Sequence, residues 1–199
     1  MALSETQINS LIENNVWNQD CPVHHSKLTV LEVPYINFDG FDQIGEIMIS
    51  ERLTEQVASI FKELYQASFP IHSIELIDHF KGNDVLSMES NNSSAFNGRR
   101  VMNTDRWSSH AYGVAIDINP VQNPYMVMDL DDSSIKVYPS DGMSFVNRGV
   151  SKKGMVETII PIFAKYGFTE WGGSWELKPD YHHFQIPWEK IEEMFPDAK

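Results

Sequence analysis

Cysteine and basic residues are both scarce in this sequence. A single cysteine, Cys21, occurs among 199 residues. It cannot form a disulfide within the chain, so the sequence gives little indication of a redox compartment. Lys and Arg number 15 against 28 Asp and Glu, which gives a formal net charge of −13 at pH 7. Nucleic acids and anionic membranes are bound through clusters of Lys and Arg, so this composition argues against both as partners.

Long apolar runs and linker segments are missing as well. A membrane-spanning helix needs about eighteen or more consecutive apolar residues, and no such run occurs. Residues 1–7 contain no basic region followed by an apolar stretch, so the sequence predicts no secretory signal. The hydrophobic fraction is 42%, and no Pro/Gly/Ser-rich linker divides the chain. We therefore expect one domain over residues 1–199.

Apolar periodicity predicts both helices and strands, and hence an α+β fold. We expect a small, mainly antiparallel sheet with helices packed on one face. The segment 81–107 lacks periodicity and is expected to be a functional loop. The polar insertion 123–147, with a turn at 130–133, is interpreted either as a lid or as a loop without a functional role. The predicted helices cover 4–15, 51–68, 151–167 (capped by Ser151) and 187–195, and the predicted strands cover 28–33, 46–50, 74–80 and 114–118.

Two segments carry the residue types of a metal site. In 108–120, Val114, Ile116 and Ile118 alternate with Asp117, which therefore faces away from the apolar set. His110 precedes Gly113, where the chain can bend and return the imidazole to the carboxylate. A catalytic zinc ion takes three protein ligands, so a second histidine is still needed.

The second segment, 180–186, supplies that histidine. Alternation places His183 on the face opposite Phe184, so we select His183 as the ligand and interpret His182 as structural, with replacement of His183 by His182 as the alternative. Asp180 precedes His183 by three residues, which suits a general base acting on a metal-held water. Alternatively, Asp180 caps the turn and Glu170 or Glu176 is the base.

These segments resemble a known family. The pattern Ser108-x-His110-x-x-Gly113-x-Ala115-x-Asp117, followed by Trp171-Gly172-Gly173-x-Trp175 and Asp180-x-x-His183-Phe184, is similar to that of the zinc D-alanyl-D-alanine carboxypeptidases of the VanY type. Residues 94–99, 21–23 and 69–71 resemble further blocks of one branch. Two departures occur, since many members have Glu in place of Asp180 and the branch often has Cys in place of Gly98.

The resemblance implies a fold like that of the Hedgehog and DD-peptidase domains and a zinc peptidase acting on peptidoglycan stem peptides. It implies His110, Asp117 and His183 as zinc ligands and Asp180 as acid/base. Cleavage of a terminal D-alanine is our preferred interpretation, and the family also includes endopeptidases that cut between L-alanine and D-glutamate. The substrate indicates the cell envelope or periplasm, with the cytoplasm as the alternative. Two His and one carboxylate also suit Fe(II).

Three further expectations concern residues around this site. Arg99 is our candidate for binding a terminal carboxylate, because a guanidinium donates two parallel hydrogen bonds; the alternative is a surface ion pair. Ser108 is expected to orient His110. A third class of function, a metal-stabilised binding module without turnover, is suggested by the zinc set of the related Hedgehog domain and argued against by Asp180.

Overall fold

The computed structural model describes residues 3–102, 104–128 and 134–196 and has the predicted α+β class. The helices are α1 (Glu5–Glu13), α2 (Thr54–Gln66), α3 (Asp84–Glu89), α4 (Ile160–Lys165) and α5 (Trp188–Met194). The strands are β1 (Leu28–Ile36), β2 (Asp42–Ser50), β3 (Ser73–Ile74), β4 (Asn92–Ser93), β5 (Ala115–Asp117), β6 (Tyr125–Met128), β7 (Ile135–Tyr138), β8 (Glu170–Trp171) and β9 (His183–Gln185).

The strands form several small sheets rather than one. β1 and β2 pair antiparallel, as do β6 and β7, and β9 lies between β5 and β8 in an antiparallel sheet of three strands. Only β3 and β4, among the described pairs, run parallel. The expectation of mainly antiparallel pairing is therefore confirmed.

The main core lies between α2, α4 and the sheets. Helix α2 buries Val57, Ile60, Phe61 and Leu64, which recur at helical spacing and therefore share one face. On α4, Phe163 stacks on Phe184 of β9 with ring centroids 3.9 Å apart. The apolar sides of β5 and β9 are thus anchored in the core, which leaves their polar sides for the site.

Three sequence predictions were wrong in detail. The segment 74–80 is a strand only at its start, because residues 77–80 form a 3₁₀ helix whose Asp78 Oδ2 accepts a hydrogen bond from Ser10 Oγ at 2.5 Å. The segment 81–107 contains α3 and β4, and Asn83 caps α3. Helix α4 begins at Ile160 rather than after Ser151, since Pro161 favours the first helical turn, where its missing N–H costs no bond.

The insertion 123–147 contains the β6–β7 hairpin, and its predicted turn at 130–133 lies outside the described residues. Strand β6 also bonds to the segment that leads to Asp180: Met126 N donates to Pro179 O at 2.8 Å and Met128 N to Leu177 O at 2.9 Å. The hairpin therefore supports the backbone before the second site segment. In the described parts of the chain, no helix is both long and apolar enough to cross a membrane.

Candidate metal centre

Strand pairing brings Asp117 and His183 together. The two residues are direct partners in the antiparallel β5–β9 register, as are Ile116 and Phe184. Opposed residues on antiparallel strands point to the same face, so the polar pair faces the site while the apolar pair enters the core. This is the arrangement that alternation predicts.

His110 reaches the same place from a 3₁₀ turn, Ser109–Tyr112. Its Nδ1 lies 2.5 Å from the carbonyl oxygen of Ala95. Ser108 Oγ accepts a hydrogen bond from the backbone N of His110 at 3.3 Å, so Ser108 fixes the turn rather than the imidazole itself. Gly113 ends the turn with φ +67°, and a Cβ there would lie 2.5 Å from Ser50 N, so only glycine fits.

The ligand atoms of His110, Asp117 and His183 have the spacing of a metal site and all lie within 4.8 Å of one another. His110 Nε2 is 3.1 Å from His183 Nδ1 and 3.3 Å from Asp117 Oδ2, and His183 Nδ1 is 3.1 Å from Asp117 Oδ1. Tetrahedral zinc with bonds of about 2.0–2.1 Å separates its ligand atoms by about 3.3 Å. The two imidazoles and the two oxygens of the Asp117 carboxylate therefore have separations that fit one ion of that size.

Hydrogen bonds on the outer side of each ring determine which nitrogen carries the proton. The Ala95 carbonyl can only accept, so His110 Nδ1 donates to it. Gln185 Nε2 donates to Glu170 Oε2 at 2.5 Å, which turns Gln185 Oε1 towards His183 Nε2 at 2.8 Å. His183 Nε2 is therefore also a donor. His110 Nε2 and His183 Nδ1 therefore keep lone pairs that face each other and the Asp117 carboxylate. A cation bound among these groups would accept those lone pairs.

His182 also lines the cavity, whereas strand alternation predicts that it faces the core. Its side chain is buried, its Nδ1 donates to Asn123 O at 2.8 Å, and its Nε2 lies 2.9 Å from Asp180 Oδ1 and 3.8 Å from Asp117 Oδ2. Alternation assigns it to the core face, but β9 begins only at His183, so the rule does not extend to it. The sequence signal that could have placed His182 in the site was its position in the same segment as Asp180 and His183.

The charges of the site are strongly coupled. Burial alone would raise the pKa of Asp117, but His110 and His182 hold it well below its usual value. Burial lowers the pKa of His182, and the carboxylates of Asp180 and Asp117 outweigh this and raise it to about 9. The pKa of His183 is likewise raised, against burial, by Asp117. The neighbouring histidines therefore favour the ionised form of Asp117.

Asp180 is held at the edge of the cluster by its backbone. Its N donates to Gly172 O at 2.9 Å, and a Cβ at Gly172 would lie 2.5 Å from Asp180 O. The Oδ1 atom is close to His182 Nε2 but is not aligned for a hydrogen bond, and it has no hydrogen-bond partner among the described residues. A buried carboxylate oxygen of this kind fits a role towards a water molecule.

The alternative bases are placed less favourably. Glu170 lines the same cavity, but its Oε2 accepts the Gln185 amide. Glu176 is exposed and is not among the residues that line the cavity. Asp180 therefore lies beside the three ligand candidates with an oxygen, Oδ1, that accepts no hydrogen bond from the residues that the structure describes.

A cavity of about 490 Å³ contains the cluster, and its wall includes Arg99, Arg106, Tyr125, Trp175 and Trp188. Arg99 Nε forms an ion pair with Asp84. The Arg106 guanidinium lies 5.1 Å from the centroid of the Trp188 ring and has no ion-pair partner among the residues that the structure describes. The cavity thus joins the cluster to two cationic and several aromatic groups.

Comparison with protein families supports the family resemblance that segments 108–120 and 180–186 indicate. The family model described as D-alanyl-D-alanine carboxypeptidase matches residues 102–186, a range that includes all three ligand candidates and Asp180. Residues 21–23, 69–71 and 94–99 lie outside the matched range. Searches against curated proteins and against solved structures gave no match. Over residues 102–186 the chain is therefore similar to the D-alanyl-D-alanine carboxypeptidase family.

Proposed function

We propose that this protein is a zinc-dependent peptidase that hydrolyses D-alanine-containing stem peptides of peptidoglycan. The observation that carries the proposal is the convergence of two imidazole lone pairs and a carboxylate at 3.1–3.3 Å, beside a buried carboxylate oxygen without a hydrogen bond. A purely structural site needs no free carboxylate at that position. The family match supports a peptidase.

In this proposal His110 Nε2, Asp117 and His183 Nδ1 hold the metal ion. When bound, zinc lowers the pKa of a coordinated water and polarises the carbonyl of the scissile amide. Asp180 takes the proton of the attacking water and returns it to the leaving nitrogen, so that one amide bond is hydrolysed. Ala95 and Gln185 keep both imidazoles in the tautomers that ligation requires.

Arg99 remains our candidate for the terminal carboxylate of the substrate. Its guanidinium lines the cavity, but its Nε is engaged by Asp84, so only its remaining N–H groups face a ligand. Arg106 lines the same cavity, and its guanidinium has no ion-pair partner among the described residues. A carboxypeptidase should lose substrate affinity when the carboxylate-binding arginine is replaced, and comparison of Arg99→Gln with Arg106→Gln identifies which one it is.

The second candidate function is cleavage between L-alanine and D-glutamate within the stem peptide. The Arg99–Asp84 ion pair favours it, because an endopeptidase does not require a free cation for a terminal carboxylate. In that case cleavage would depend little on Arg99. The metal centre and Asp180 would act in the same way.

Mass spectrometry of a purified muropeptide pentapeptide after incubation with zinc-loaded protein tests the proposal. We expect loss of one terminal alanine, and a loss of rate of about 10²- to 10⁴-fold in Asp180→Ala, the usual contribution of a general acid–base group. Glu176→Ala is the matched control, since this carboxylate is exposed and lies outside the cavity wall. Cleavage before D-glutamate would assign the endopeptidase function, and an intact peptide with bound zinc would favour the binding module.

A further inference from the structure

His182 lies between two carboxylates that have different roles in the proposed mechanism. Its Nε2 lies 2.9 Å from Asp180 Oδ1, the proposed base, and 3.8 Å from Asp117 Oδ2, a proposed ligand. Only 3% of its surface is exposed, and it lines the cavity. The proposed mechanism assigns no role to His182.

The orientation of the His182 ring is fixed from behind. Its Nδ1 donates to the carbonyl of Asn123 at 2.8 Å. The Asn123 side chain is itself held on both sides, because its amide nitrogen donates to Gly154 O at 2.9 Å and its oxygen accepts from Arg148 Nη2 at 2.9 Å. Arg148 also forms an ion pair with Glu157. A ring held by such a buried network is not free to turn away from Asp180.

The distances argue against His182 as a metal ligand. The ligand atoms of His110, Asp117 and His183 form the compact group, with separations of 3.1–3.3 Å. His182 Nε2 lies 2.9 Å from Asp180 Oδ1 but 3.8 Å from Asp117 Oδ2. The second distance exceeds every separation within the compact group. The ring therefore acts on the proposed base rather than on the metal.

We propose that His182 is the positioning residue for Asp180 in the hydrolysis reaction, an inference that rests on the proposed function. Asp180 lies at the start of the second segment with one oxygen free of hydrogen bonds, and its side chain needs a partner to keep that oxygen at the metal site. The Nε2 of His182 holds the carboxylate through an ion-pair contact of 2.9 Å with Oδ1. The Asp180 carboxylate is thereby kept in the cavity beside the three proposed ligands, where it can accept the proton of the attacking water.

Steady-state kinetics of His182→Leu and His182→Gln test this inference, with His79→Leu as the control because His79 is an exposed histidine paired with Glu75. Misplacement of a catalytic group by about 1 Å can cost about 100-fold in rate, so we expect kcat of His182→Leu to fall about 10- to 100-fold with KM unchanged. His182→Gln, which keeps an N–H donor, should recover part of the rate.

Metal content and the visible spectrum of the cobalt-substituted variants provide the second readout. Both should match the unaltered protein, because His182 is not a ligand in this account. Loss of bound metal in the folded His182→Gln variant would make His182 a ligand and overturn the inference, as would a kcat of His182→Leu equal to that of the unaltered protein. If the Leu variant does not fold, the Gln variant decides through the same two measurements.

Assays of the unaltered protein and of the His182 variants distinguish failure of the proposed function from failure of the inference. If the unaltered protein leaves the peptide intact, the proposed function falls and the inference falls with it. If the unaltered protein cleaves the peptide and replacement of His182 changes only stability, the inference alone falls.

Discussion

At the scale of single residues, the orientation of each of the two proposed histidine ligands is set by a neutral acceptor behind its ring. Ala95 O serves His110 and Gln185 Oε1 serves His183, and the Gln185 amide is in turn oriented by Glu170. These acceptors determine which nitrogen keeps its lone pair for the metal. Such outer partners contribute to metal affinity although they do not touch the ion.

Gln185→Leu should therefore weaken zinc binding. The substitution removes the acceptor for His183 Nε2 while keeping a side chain of similar size, so the ring loses the bond that fixes its tautomer. We expect zinc affinity to fall about 10- to 100-fold, as measured by competition with a fluorescent chelator. Glu170→Gln, which keeps an acceptor for the Gln185 amide and leaves Gln185 Oε1 beside His183 Nε2, is the matched control. Equal affinity in the unaltered protein and the Leu variant would contradict the assigned role.

At the scale of elements, the site depends on the packing beneath β9. Phe184 is the residue next to His183, and its ring stacks on Phe163 of α4 at 3.9 Å. Both rings are fully buried. The position of one proposed ligand is thus tied to a contact between a helix and a strand in the core.

Phe163→Ala should destabilise the protein by about 3–5 kcal/mol, the usual cost of truncating a buried aromatic side chain. Denaturant unfolding of the metal-free protein measures this directly. Phe41→Ala is the control, since Phe41 is 65% exposed. A change for Phe163→Ala as small as that of the control would mean that α4 does not support β9.

Helices α2 and α4 are also joined by a charge contact at the surface. Glu63 accepts hydrogen bonds from Lys165 Nζ and Tyr166 OH, both at 2.5 Å, and these contacts hold its pKa below the ordinary value of 4.5. A depressed carboxylate pKa stabilises the fold above the unfolded pKa, and this stabilisation is lost as the pH falls through the folded pKa.

Glu63→Gln should accordingly lower the thermal unfolding temperature at pH 7, and the difference from the unaltered protein should shrink as the pH falls below about 4.5. Thermal unfolding followed by circular dichroism from pH 3 to pH 8 measures both curves. A constant difference over the whole range would show that the ionised form of Glu63 is not what stabilises the α2–α4 contact.

The sequence allowed these elements to be predicted to different extents. Helix α1 was predictable because Ser4 and Gln7 form a capping box, and the faces of β5 were predictable because Asp117 alternates with Ile116 and Ile118. Strands β3, β4 and β8 are two residues long, so their pairing depends on tertiary neighbours rather than on a local pattern. The face of His182 was predicted wrongly because alternation was extended past the start of β9.

At the scale of the whole molecule, the proposed ligands come from parts of the chain that are distant in sequence. His110 lies on a turn, Asp117 on β5 and His183 on β9, so an ion held by all three joins segments 73 residues apart. A ligand that binds only the folded state adds stability that grows with the ratio of its concentration to Kd, about 4 kcal/mol at a ratio of about 1,000. Zinc binding and folding should therefore be linked.

Zinc titration of the chelator-stripped protein by isothermal calorimetry tests the central claim most directly. We expect one zinc ion per chain, loss of this binding in His183→Ala, and its retention in His79→Ala, which removes an exposed histidine outside the cluster. Undiminished zinc binding by His183→Ala, or the absence of any zinc binding by the unaltered protein, would contradict the account.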